Sequence, residues 1–84
     1  MNLQDNLDKI PEPPKLEKGR YRHYKGNVYD VIGVAYHTET LEPLVVYRAV
    51  EQKKGAEFWV RPFEMFTGHV TVDGKNIDRF EKIS

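Results

Sequence analysis

Cysteine is absent from the 84-residue chain, which excludes disulfide frameworks, zinc ribbons, iron–sulfur centres and thiol nucleophiles. With no covalent or metal staple, a small core must hold the fold by packing alone. A surplus of one charge sign is also lacking, because thirteen Lys and Arg balance thirteen Asp and Glu. Nonspecific nucleic-acid binders carry a basic surplus that neutralises phosphates. Charge therefore does not favour a nucleic-acid partner, although Arg20, Arg22 and Lys25 lie close together. No apolar run approaches the ~20 residues of a membrane span. The opening MNLQDNLDKI is neither cationic nor continuously apolar, unlike a signal peptide. These absences lead to the expectation of a soluble, cytoplasmic protein with no membrane partner. The chain is too short for a doubly wound nucleotide fold or a TIM barrel, so one small domain is expected.

Aromatic residues are missing from the first 20 positions, and all ten lie between Tyr21 and Phe80. Residues 1–18 read as an N-terminal tail and linker, with PEPP at 11–14 as an extended connector. Residues 19–84 read as the domain. Leu3, Leu7 and Ile10 fall at i, i+4 and i+7, the spacing of one helix face. A short N-terminal helix could form there, capped by Asn2 and stopped by Pro11, but only when docked. The plainer reading is a frayed terminus.

From Gly19 onward the pattern is β. Over the whole chain Val, Ile and Thr total 17 against three Ala. Turn signals at Gly26-Asn27, Lys54-Gly55 and Asp73-Gly74 separate runs rich in Val, Tyr, Phe and Trp. Strands are expected near 20–25, 27–37, 43–51, 56–61 and 68–73, with a short one near 76–82. Hairpin turns imply an antiparallel meander. Pro62 suits the first position of a helical turn, and Phe63 and Phe66 share one side of a single 3-10 turn. The expected fold class is therefore all-β, a small SH3-like antiparallel barrel with one 3-10 turn. A two-residue loop at Gly26-Asn27 would place Tyr24 opposite Tyr29, His23 opposite Asp30 and Arg22 opposite Val31. Gly33 is the easiest place for the long second strand to bend. Tyr29, Val31, Val46, Val60 and Phe66 are expected in the core.

Over Tyr21–Phe66 the blocks YRHYKG, HTETLEPLVVY and WVRP…MF, with the DGK…RF ending, become specific. Together they resemble the bacterial family of small proteins called domain of unknown function 1653. The resemblance covers about residues 19–83 and excludes the tail. It implies a small β-rich domain. It carries no established biochemical role and no catalytic residues.

HTET at 37–40 is the most polar strand end. His37 and Glu39 could belong to a ligand loop, whereas the plainer reading is a turn whose side chains bond nearby backbone. Trp59 and Arg61 alternate with Phe58 and Val60, so they share a strand face. With Tyr47 adjacent, they would make an aromatic wall able to stack a base, a peptide proline or a methylated cation. The plainer reading puts Trp59 in the core and pairs Arg61 with Glu39 or Glu64. His23, His37 and His69 share no metal-binding spacing, so no metal is assigned. Nucleophile-elbow and phosphate-loop motifs are absent, and no catalytic residue or cofactor is singled out.

The favoured reading is a noncatalytic binding module. It would recognise a peptide, a protein or a nucleotide-like ligand through a rim of His37, Glu39, Tyr47, Trp59 and Arg61. One alternative is a small-molecule sensor or small enzyme using a His37, Glu39 and Arg61 pocket. Another is a structural protomer whose aromatic face makes a homodimer, which the edge strands of a small sheet invite. Because the aromatic mass follows Gly19, deleting residues 1–14 is expected to leave a cooperatively unfolding domain. Loss of cooperativity in a thermal melt would move the domain boundary toward the N-terminus.

Overall fold

The domain grows from an antiparallel meander whose strands are set by β-branched and aromatic runs. The computed structural model describes residues 10, 12–51, 54–55 and 57–84. The strands are β1 (Gly19–His23), β2 (Val28–Tyr36), β3 (Pro43–Ala49), β4 (Trp59–Pro62), β5 (His69–Val72), β6 (Lys75–Asp78) and β7 (Phe80–Lys82). One helical turn, α1 (Phe63–Phe66), follows β4. Five strands form a sheet in the order β4-β3-β2-β1-β7, and β5 and β6 form a separate ribbon. The fold is all-β and antiparallel, as expected, but the sheets do not close into a barrel. The proposed helix over Leu3, Leu7 and Ile10 falls largely outside the described residues. Leu16, within the expected tail, packs against the core, and the Tyr21 hydroxyl donates to the Glu17 carbonyl at 2.7 Å.

The curvature can be measured from its ends. Strands β4 and β7 are four spacings apart in the sheet, roughly 19 Å if it were flat. Yet the Arg61 guanidinium of β4 lies 5.4 Å from the Phe80 ring centroid of β7. The sheet is therefore strongly curled, and its two edges are bridged by side chains instead of a hydrogen-bonded ladder. Part of the curl starts at a bulge in β2, where the β3 register shifts between Val31 and Gly33. The bend thus lies where Gly33 suggested it.

Tyr21, Val31, Val45, Tyr47, Phe66 and Phe80 form the core on the concave face. Val31 and Phe66 match expectation, and Tyr29 is half-buried against them. Val60 does not, being 58% exposed, and Val46, its cross-strand partner, is only half-buried. The run Leu44-Val45-Val46-Tyr47 is apolar on both faces, so its alternation cannot choose a phase. The aromatic residues choose it: Val45 and Tyr47 turn inward to meet the α1 side of the core.

The first hairpin also differs from expectation. Tyr21 pairs with Tyr29 and Arg20 with Asp30, three positions away from the two-residue-loop register. His23 closes a three-residue loop by donating its N–H to the Asn27 carbonyl at 2.8 Å, and Gly26 supplies a φ of +115° there. An odd slip inverts the faces of a strand, so Tyr21, not Tyr24, reaches the core. Asp30 consequently pairs with Arg20 at 3.1 Å and not with His23. At the other turn, Asp73 and Gly74 take φ of +51° and +77°, the backbone of a type I′ hairpin. The segment expected as one strand near 76–82 splits into β6 and β7.

The turn expected as 3-10 closes as α. The Thr67 N–H donates to the Phe63 carbonyl at 3.0 Å, and the Thr67 hydroxyl donates to the same oxygen at 2.8 Å. This turn drops Phe66 onto Phe80, the rings parallel within 9° and 4.0 Å apart. Gly19, at φ +135°, lets β1 lie against the C-terminal strand, because a Cβ there would sit 2.5 Å from the Ser84 carbonyl oxygen. Phe66 is 1% exposed, so Phe66→Ala is expected to cost about 3–5 kcal/mol. Denaturant unfolding checks this, and an unchanged midpoint would remove Phe66 from the load of the core.

Candidate functional site

The residues singled out from the sequence separate into two places. His37 and Glu39 lie in the turn between β2 and β3. There the His37 Nδ1 accepts the N–H groups of Glu39 and Thr40 at 3.1 and 3.3 Å. Thr40 Oγ1 accepts the Glu42 N–H at 3.2 Å, and the His37 carbonyl accepts the Leu41 N–H at 2.8 Å. The imidazole thus acts as a turn-closing acceptor, and Glu39 stays exposed. Leu41 is held at φ +61°, a conformation costing a non-glycine residue roughly 1–2 kcal/mol. The local hydrogen bonds offset that strain.

Tyr47, Trp59 and Arg61 come together on the other side of β3. Tyr47 is the direct cross-strand partner of Trp59, and Val45 that of Arg61. Pro43, beside the His37 turn, lies four residues from Tyr47, roughly 13 Å along the strand. Tyr47 is buried, and its phenol pKa is raised by that burial, partly opposed by the hydrogen-bonded Arg61. Arg61 is half-buried between Tyr47 and Phe80. No ion pair joins Arg61 to Glu39 or Glu64 among the described residues. Trp59 is 46% exposed, so it is not the core residue that the plainer reading made it. It walls a cavity of about 370 Å³ with Tyr29 and Ala49, rimmed by Glu51 and Lys54.

A second grouping was not assembled from the sequence. The His23 ring packs edge-on against Phe80 at 4.9 Å and lies 4.6 Å from Tyr24. Burial, then the charges of Arg61, Arg79 and Lys25, push its pKa below the ordinary value. Arg79 Nε is buried and has no hydrogen-bond partner among the described residues. The signal lay in YRHYKG and the terminal RF pair, but only the β1–β7 pairing brings these distant segments together. Among the described residues no cluster of three His, Asp or Glu side chains is arranged to hold a metal. No helix among them is long and apolar enough to cross a membrane.

Comparison with known proteins adds a family and a fold. The family model described as "Protein of unknown function (DUF1653)" matches residues 19–82. The chain is similar to a crystal structure of a DUF1653 protein from Bordetella bronchiseptica. The two share 30% identity at a TM-score of 0.76, covering 83% of this chain and 90% of that one. A comparison with curated proteins finds no match.

The lowered pKa of His23 has a definite sign in stability. As pH falls, the unfolded chain takes up the proton first, so stability is fully present above the ordinary histidine value of about 6.5 and declines through and below it. Thermal melts between about pH 7.5 and about pH 5 should show a falling midpoint, with a shallower fall in His23→Gln. Equal slopes in the two proteins would show that His23 titrates alike folded and unfolded.

Proposed function

The chain belongs to the DUF1653 family, whose role is not established, and we propose that it is a noncatalytic binding module taking an extended apolar peptide along the β4 edge. The observation that carries this reading is the exposure of three consecutive apolar residues, Phe58, Trp59 and Val60, at 43%, 46% and 58%. Trp59 and Val60 open β4, which ends the five-stranded sheet among the described residues. Edge strands are ordinarily guarded by charge, short length or a covering segment. The opposite edge, β7, is so guarded, by exposed Glu81 and Lys82. An incoming strand at β4 gains main-chain hydrogen bonds from the edge and side-chain contacts on both faces. Trp59 supplies one face and the neighbouring cavity takes a side chain.

A pocket enzyme or sensor built on His37, Glu39 and Arg61 draws less support, since the His37 nitrogen is engaged by the turn and Arg61 by the core. The homodimer reading uses the same edge and becomes a competing outcome. Trp59 is the single tryptophan, so its emission reports occupancy. Selection from a displayed library of random extended peptides is expected to yield binders that blue-shift this emission. Trp59→Ala should lose them while melting within about 1 kcal/mol of the parent. N-methylation of alternate peptide amides should abolish binding. Binders that survive Trp59→Ala, a library without β4-dependent binders, or sedimentation showing a dimer that buries Trp59 would each overturn the peptide reading.

A further inference from the structure

The outward face of β2, β3 and β4 is apolar, and the described residues leave it open. Val46 stands opposite Gly33 on one side and Val60 on the other, and Leu44 stands opposite Ala35 and Pro62. Alternation turns these rungs away from buried Val45 and Tyr47. Ile32, next to buried Val31 at the bulge, joins them at 42% exposed, and Val60 is 58% exposed. Gly33 leaves a dip on the β2 side, because a Cβ there would meet nothing within 4 Å. An antiparallel sheet that faces water on one side is ordinarily polar there. The N-terminal segment arrives at the same flank. Pro13 to Lys18 bound a groove of about 640 Å³ with Gly33 and Val34, and Leu16 is anchored to the core. Upstream, Ile10 is half-buried, and residues 1–9 precede it outside the described residues.

We propose that this outward face is the docking surface for the chain's own N-terminal segment, which lies across it as a short helix with Leu3, Leu7 and Ile10 against Ile32, Val46 and Val60. Those three side chains share one helix face, and residues 2, 4, 5, 6, 8 and 9 between them are all polar. The reach fits. From β2 to β4 is two strand spacings, roughly 10 Å, and ten residues of helix span roughly 15 Å. The stiff Pro13-Pro14 pair beside Gly33 fixes where the segment starts its crossing. A helix this short does not hold in water alone, so the apolar face and the helix form each other's missing half. Trp59 alternates with Val60 onto the other face of β4, and the outer backbone of β4 stays open when the segment is docked. Peptide capture at that edge therefore stands or falls separately.

The test uses the full chain, whose lack of cysteine makes a single introduced thiol a clean attachment point. A nitroxide on Arg48→Cys, an exposed position on the same outward face, should broaden the NMR amide signals of residues 3–10. A nitroxide on Ile77→Cys, in the β5–β6 ribbon beside Arg22 and His23, should leave them sharp. Leu3→Asp combined with Leu7→Asp should abolish the broadening and speed tryptic cleavage after Lys9 ~tenfold or more, the loss of local protection. Ile32→Ser with Val60→Ser, both at exposed positions, should do the same from the sheet side. Trp59→Ala should leave both readouts unchanged, which separates this docking from peptide capture at β4. Absent broadening from Arg48→Cys, equal broadening from Ile77→Cys, or insensitivity to the two aspartates would overturn the proposal. Broadening seen only between copies in a mixture of isotope-labelled and spin-labelled chains would overturn it too, by giving the face to a second copy.

Discussion

The parallel stack of Phe66 on Phe80 is the contact on which the rest of the domain depends. It joins α1, which hangs from the β4 edge, to β7 at the far edge of the same sheet. Tyr21 meets Phe66 edge-on at 5.5 Å, and Tyr47 lies 5.8 Å from Phe80. The rings do the work that a disulfide does in many domains of this size. A chain this short buries a modest fraction of its surface, and concentrating that burial in large rings makes the most of each residue. Surface ion pairs such as Arg20–Asp30 add at most about 1 kcal/mol each.

Arg61 gives the aromatic core a charged boundary. Its guanidinium lies over Phe80 and bonds toward Tyr47, so it closes the gap between the sheet edges without itself being sealed from water. The same charge disfavours protonation of His23.

The sequence made some of this legible and hid the rest for physical reasons. Asp73-Gly74 declared its turn because both positions need positive φ, which few residue pairs supply. The pairing of Tyr47 with Trp59 was open to consideration because both belong to consecutive strands. Gly26-Asn27 was ambiguous, since a glycine serves the end of a three-residue loop as well as the start of a two-residue one. The phase of Leu44–Tyr47 was hidden by apolar residues on both faces. Arg61 was visible as a strand-end arginine, but its reach to Phe80 depends on how far the sheet curls, which no local pattern encodes. His37 sat in the right segment for a ligand loop, yet the turn itself takes up its acceptor.

The unlike edges of the sheet have a consequence for crowded solutions. Sticky edges at both ends of a sheet permit head-to-tail stacking, a heterologous contact that repeats without limit and grows fibres. Here β7 presents Glu81 and Lys82, the latter 3.7 Å from Glu17, whereas β4 at the other edge of this sheet presents an apolar margin. Association of the five-stranded sheet through its apolar edge would bring β4 against β4, an isologous contact with a two-fold axis that consumes both β4 margins at once.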